Sequence, residues 1–596
     1  MFSSLKSKAQ SLYMSPTQQS TIGGRFLTTS IGADDIFTRE DLTDEQRLFG
    51  RAAAEFMRGE VLPREARLYA HDWDLTRELL RKAGDLDLLR LEIPEAYGGL
   101  GLDKISSAFV AESIALNPSF GGSLGAHTAI GTLPLVYFGN DEQKARYLPH
   151  LATGEMVAAY ALTEPQSGSD ALAAKTTATL TADRKHYVLN GQKMWITNGG
   201  FADLFTIFAK IDGDKFTAFL VERSMGVVSG SDEKKLGLDG SSTTALMLDG
   251  VKVPVENVLG KIGEGHKVAF NILNFGRVKL GARNMACAKI ALGNAVVYAK
   301  ERRQFGRAIA EFGLIKRKIA EMSVRCYVGD AMTYRTLGDV DRALEAVNPS
   351  DNTGILKAIE GFAVECSINK VYTSEALAYV VDEALQVFGG NGYSREFPAE
   401  RAYRDARITR IYEGTNEINR LIIPTRLLKQ GLGIGDSGLV GNSDRAATAK
   451  NVSSVLAAER SLLEAAKRLA LGLLSEAAAA YGEGVKEEQE VLADVADVIV
   501  DIYAVESAIA RAEKIAASRG TDAASVALDA TRAFATDAAD RMTRSARQIA
   551  RALAPKSPGN SIARLCAPLA GFEGIDGIAA RRRIADAVTT AGKYPL

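Results

Sequence analysis

The chain has 596 residues, 46% of them hydrophobic, and carries a formal net charge of -1 with a pI of about 6.6. That length predicts more than one domain, the near-neutral balance argues against a nucleic-acid binder, and the apolar runs are far shorter than a membrane span. Four isolated cysteines without C-x-x-C spacing and five scattered histidines predict neither a disulfide framework nor a metal site, and fit a reducing compartment.

Residues 1–33 contain Lys6, Lys8 and Arg25 and much Ser, Thr and Gln, with no acid. This composition suits a mitochondrial transit peptide or a bacterial leader equally, so residues 1–36 are expected to be a flexible leader, in a mitochondrial or a cytoplasmic protein respectively. Thr43 is the expected N-cap of the first helix, with acids in its first turn. A 3.6-residue apolar period then runs to His150, and residues 37–156 are read as a helical domain. Within it, G-G-S-L-G-A-H-T-A-I-G (residues 121–131) is glycine-rich for a helix, each glycine costing ~1 kcal/mol relative to alanine. It serves either close helix packing or a tunnel for a long chain.

Period-2 patterning marks residues 157–265 as a β domain. Residues 185–197 read as two β-rich runs joined by Asn190-Gly191, a strong hairpin signal, and residues 204–210, 216–221 and 243–248 are further strands. Helices resume over residues 266–430, interrupted after Arg302 and at Gly389. No G-x-G-x-x-G follows a strand, so a Rossmann site is not supported. Residues 431–444 form a Gly/Ser-rich linker. In the helical extension, residues 445–596, Val491, Val495, Val498, Ile502, Val505 and Ile509 make one apolar stripe that must be buried. Residues 462–474, apolar with Lys467 and Arg468, suit either a bundle helix or a peripheral membrane contact.

The chemistry centres on residues 408–420, I-T-R-I-Y-E-G-T-N-E-I-N-R. Glu413, between Tyr412 and Gly414, can be a general base if a dry pocket raises its pKa; a lone Glu at a helix end is otherwise simply solvated. Together with Y-A-L-T-E-P-Q-S-G-S-D from Tyr160, W-I-T-N-G-G from Trp195 and Q-V-F-G-G-N-G-Y from Gln386, this segment resembles the signature motifs of the acyl-CoA dehydrogenase family of flavoproteins. The likeness runs in family order from about Phe37 to about Leu428 and is strongest to the very-long-chain branch.

The resemblance implies an α+β fold: a helical domain, a β domain, a helical bundle and the extra helical extension. It implies FAD-dependent oxidation of a long-chain acyl-CoA to the trans-2-enoyl-CoA in fatty-acid β-oxidation, in a homodimer that passes electrons to an electron-transferring flavoprotein. Glu413 matches the base, while Gly276 stands where another branch carries its base. Tyr160, Leu162, Thr163, Ser169, Trp195, Ile196 and Thr197 match flavin contacts in the β domain, with Ser169 also near CoA. Arg302, Gln304, Phe305, Gln386, Phe388, Gly389 and Gly390 match segments that serve the neighbouring subunit's FAD. Thr415, Asn416 and Glu417 complete the flavin contacts; Tyr412, Gly414, Asn274 and Arg277 match substrate positions. An acyl-CoA oxidase and a respiratory-complex assembly factor are the alternative readings.

Overall fold

A computed structural model describes residues 23–348, 351–432, 454–559 and 561–596. The linker and the first residues of the extension, 433–453, lie outside it, as do residues 1–22. Numbering only the elements used below, the N-terminal helices are α1 (Asp44–Phe56), α2 (Trp73–Asp85), α3 (Lys104–Ile114), α4 (Pro118–Gly125) and α5 (Asp141–Thr153). Thr43 caps α1, its hydroxyl accepting from Gln46 N at 3.2 Å while Gln46 returns the bond to Thr43 N. The glycine run forms helix α4 and continues as a wider turn over Ala126–Gly131.

The β layer contains β1 (Ala158–Ala161), β2 (Thr177–Leu180), β3 (His186–Thr197), β4 (Leu204–Ile211), β5 (Lys215–Glu222), β6 (Val228–Asp232), β7 (Thr243–Pro254) and β8 (Val258–Leu259). They form one sheet in the order β6-β7-β3-β2-β4-β5-β8, with β1 parallel to β4. The expected hairpin at Asn190-Gly191 is absent: β3 runs straight through it with a bulge between Leu189 and Gly191 against β7. Gly191 is needed because a Cβ there would meet Thr176 Oγ1 at 2.5 Å, and Asn190 Oδ1 accepts from Gly250 N of the neighbouring strand. The pair serves a close approach between strands rather than a turn.

Helix α6 (Gly265–Glu301) leads to a two-residue ribbon, β9 (Arg303–Gln304) and β10 (Arg307–Ala308), then to α7 (Gly313–Glu345), α8 (Ala363–Phe388) and α9 (Asn416–Lys429). The extension adds α10 (Ala457–Tyr481), α11 (Gln489–Arg519), α12 (Ser525–Leu553), α13 (Ile562–Ala570) and α14 (Gly577–Ala591). All six residues of the α11 stripe are buried. The helix joins α7 through Arg335–Glu506 (2.8 Å) and a bond from Tyr327 Oη to Ala508 O, so the extension packs on the chain's own bundle.

One open reading narrows and one expectation changes. Leu469 and Leu473 are 0% exposed, and Lys467 is buried on Glu506 at 2.6 Å; α10 is a bundle helix, with no apolar face here free for a membrane. Among the described residues no helix is long and apolar enough to cross one. Residues 23–36 are also not a loose leader. Phe26, Leu27 and Ile36 are buried, Phe26 packs edge-on against Tyr503 of α11, and Arg460 and Lys514 donate to the carbonyls of Ile31 and Ile36. Three apolar side chains outweighed the polar composition around them.

Candidate active site

Glu413 and Gly414 both adopt left-handed backbone angles, φ 59° and 79°, so the chain turns sharply before α9. For a glutamate this conformation is sparsely populated and must be held by its surroundings. Arg277 Nε donates to Glu413 O at 3.0 Å, and Asn419 Nδ2 donates to Gly414 O and Thr415 O. Thr415 Oγ1 then caps α9 by accepting from Ile418 N. The carboxyl faces α6 at Gly276, where a Cβ would lie 2.7 Å from Glu413 Oε2. That oxygen is buried and has no hydrogen-bond partner among the described residues. Burial pushes the Glu413 carboxyl up to about 7, while Arg277, Lys370 and Arg283 pull it down by smaller amounts. A buried, unsatisfied carboxyl near neutrality is costly to keep, and it is suited to accepting a proton from a bound ligand.

Several sequence-matched residues do something other than expected. Asn274 and Arg277 are both buried and bonded to each other, Nη1 to Oδ1 at 3.0 Å. Arg277 thereby holds the Glu413 turn, and Asn274 holds Arg277. Asn416 points away from the opening: its Oδ1 accepts from Lys370 Nζ at 2.5 Å, and its Nδ2 donates to Ser374 and Glu375 on α8. Burial, then the Arg277 charge, bring Lys370 down to about 7. Tyr160 and Ile196 are core side chains, Tyr160 edge-on to Phe208. Tyr412 is half-buried, its hydroxyl pushed up to about 12 by burial; Glu417 is exposed.

The sheet contributes an open face. Trp195 is 53% exposed with φ 61°, within the pairing irregularity between Lys193 and Ile196, and a bulge of this kind re-aims a side chain. Thr197 is half-buried next to it, as are Leu162 and Thr163, and Ser169 is exposed. The loop over residues 162–170 hangs on Glu164, whose carboxylate accepts from Lys193 Nζ (2.7 Å), Thr176 N and Oγ1, and Lys175 N. Neither Glu164 nor Lys193 was singled out from sequence, although alternation along β3 does put Lys193 on the inner face. His127 was also missed: buried, it links Leu151 O to Ala158 N.

The remaining matched residues lie elsewhere. Arg302, Gln304 and Phe305 are exposed, with Phe305 at the ribbon tip 92% exposed. Gln386, Gly389 and Gly390 are exposed beside them, while Phe388 faces inward, stacked on Tyr298 at 4.3 Å. Asn391 Nδ2 bonds Tyr298 Oη, which ties this loop to the end of α6. From Arg277 to Arg302 the helix rises about 37 Å at 1.5 Å per residue. The matched residues therefore fall into two groups, one at Glu413 and one at the far end of α6.

An outward tryptophan, half-buried threonines, an exposed serine and an unsatisfied carboxyl fit a planar aromatic cofactor with a reacting ligand beside it. Family models for the N-terminal, middle and C-terminal domains of acyl-CoA dehydrogenase match residues 43–155, 159–251 and 263–428, and a further acyl-CoA dehydrogenase C-terminal model matches 465–556. A probable acyl-CoA dehydrogenase of Bacillus subtilis is 46% identical over 530 residues, 87% of this chain and 89% of that protein. The chain belongs to the acyl-CoA dehydrogenase family. The very long-chain specific acyl-CoA dehydrogenase of rat mitochondria is 36% identical over 73% of this chain and 70% of its own. The crystal structure of an acyl-CoA dehydrogenase complexed with FAD from Bacillus anthracis superposes with TM-score 0.92 at 41% identity, covering 96% of this chain and 100% of that one. The butyryl-CoA dehydrogenase of Megasphaera elsdenii covers only 65% of this chain, with TM-score 0.60. As a family member the chain is an FAD-dependent oxidoreductase that acts on acyl-CoA.

Proposed function

We propose that this acyl-CoA dehydrogenase oxidises long-chain acyl-CoA to the trans-2-enoyl-CoA with Glu413 as the base. The observation that carries the assignment is the buried, unpartnered Oε2 of Glu413, held on a strained turn against Gly276. FAD supplies the two-electron acceptor for the hydrogen leaving Cβ. Glu413 takes the proton from Cα, and the desolvation that raises its pKa keeps it basic enough near neutral pH to do so. Arg277 and Asn419 hold the turn so that the carboxyl needs no reorganisation as the proton moves. Trp195 and Thr197 would hold the flavin, together with the loop anchored by Glu164.

The long-chain reading is supported by the similarity to the rat enzyme and by Gly122, where a Cβ would meet only Ser241 Oγ at 3.7 Å. Each methylene buried there would add about 0.8 kcal/mol of binding. Two groups of matched residues about 37 Å apart on α6 support a homodimer in which Arg302, Gln304, Phe305 and the loop after Gln386 serve the partner's flavin. An electron-transferring flavoprotein is the proposed electron acceptor. The test is anaerobic mixing with acyl-CoA of increasing chain length. Bleaching of the flavin that is reversed by the flavoprotein and not by air supports the whole reading, and rapid reversal by air points to an oxidase instead. Failure of every acyl-CoA to bleach the flavin overturns it.

A further inference from the structure

Arg283 stands seven residues after Gly276 on α6, two turns along the same helical face and about 10 Å further on. Gly276 is the position pressed against the Glu413 carboxyl, so Arg283 borders the same space as the base. Its guanidinium reaches across to the glycine run of α4. Nη1 donates to Gly121 O at 3.2 Å, and a Cβ at Gly125 would come within 3.3 Å of it. The space left by one of these glycines, Gly125, is thus taken up by the arginine head.

That carbonyl is its one hydrogen-bond partner among the described residues, and no described carboxylate lies within ion-pair distance of it. Glu413 and Tyr412 feel its charge only through space. Arg277, on the same helix, has its guanidinium engaged by Asn274 and the Glu413 carbonyl. A guanidinium offers five N–H donors in a planar fork suited to a carboxylate. Half-buried, with one donor engaged, Arg283 holds most of that capacity beside the opening left at Gly122. A purely hydrocarbon chain passing it would strip water from the charge and return no hydrogen bond, which is unfavourable.

We propose that Arg283 is a specificity-determining residue that receives an oxygen function, a carboxylate or a hydroxyl, carried by the acyl chain beyond the Cα held at Glu413. The preferred substrates are then acyl-CoAs with an oxygenated tail. This rests on the reading of Glu413 as the base, which places Cα. No new chemical step is involved; the tail is bound, and the α,β-oxidation proceeds as above.

The test compares the FAD-loaded enzyme on three series of acyl-CoA of about eight to sixteen carbons: unsubstituted, ω-hydroxy and ω-carboxy. The readout is the ratio of kcat/KM for oxygenated over unsubstituted chains of equal length, which cancels any general loss in a variant. The wild type is expected to favour at least one oxygenated series at one length. Arg283→Leu should lower that ratio about ten- to hundredfold, the effect of one charge-assisted hydrogen bond, and Arg283→Lys should retain part of it. A ratio that falls only for ω-carboxy chains identifies a carboxylate, and one that falls for both series identifies any accepting oxygen. The same ratio is read as dissociation constants in Glu413→Gln and Glu413→Gln/Arg283→Leu, by titrating the flavin spectrum, so the proposal is tested even if the base assignment fails. An Arg283→Leu ratio equal to wild type, or a wild type that binds and turns over unsubstituted chains best at every length, overturns it.

Discussion

Replacing Glu413 by Gln separates the energetic cost of the buried acid from its chemistry. The folded-state value near 7, against an ordinary 4.5, corresponds to about 3 kcal/mol at 1.36 kcal/mol per decade. The sign follows from proton uptake: between those two values the folded protein binds more protons than the unfolded chain, so the wild type loses stability as pH rises through the interval. Below pH 4.5 both states hold the proton and the penalty vanishes. Gln keeps the shape and never ionises. The variant should therefore match the wild type at pH 4 to 4.5 and exceed it by up to about 3 kcal/mol at pH 8. Urea unfolding of both proteins across this range, compared as a difference, reads the effect. In parallel, the anaerobic flavin-reduction rate of the wild type should fall as pH drops through about 7, and the variant should be about 10²- to 10⁴-fold slower at pH 8, with the gap narrowing at lower pH. A stability difference that does not change with pH, or a kinetic midpoint near 4.5, would refute the claim that burial tunes this carboxyl.

Four further expectations follow from packing. Gly276→Ala puts a Cβ 2.7 Å from Glu413 Oε2, so flavin reduction should slow at least tenfold while circular dichroism and FAD content stay unchanged. Lys193→Met leaves Glu164 charged without its cation in the loop over residues 162–170, at a cost of up to about 3–5 kcal/mol; thermal melting should drop and FAD dissociate faster, with part of both recovered when Glu164→Gln is added. Leu469→Glu with Leu473→Glu buries two charges in the bundle, so size-exclusion should find aggregate, and a folded, active variant altered only in liposome binding would contradict the packing described. Arg302→Ala and Glu413→Gln, each defective alone, should regain activity when co-expressed, because a mixed dimer holds one site free of both lesions. Activity no higher than the mean of the two parents would count against shared sites.

The division of labour between sequence and tertiary structure is clear at particular residues. Helix α1 was legible because its cap is local: Thr43 and Gln46 lie three residues apart and satisfy each other. The α11 stripe was legible because a helix repeats every 3.6 residues, so six aliphatics on one face have to be buried. The motif around Glu413 was legible as a family signature because the acid, the aromatic and the glycine are contiguous. Non-local partners were not legible. Asn190-Gly191 has turn composition, yet Thr176 and Gly250, brought in by neighbouring strands, make it a bulge. Arg277 and Asn274 carried no sign of the backbone bond that Arg277 makes to Glu413 O across 136 residues of chain. Arg283 gave no signal at all, since its meaning depends on the glycines of α4 more than 150 residues upstream. Residue type and spacing determined which groups could do chemistry; which of them are desolvated, paired or left free was decided by burial, and burial belongs to the folded chain alone.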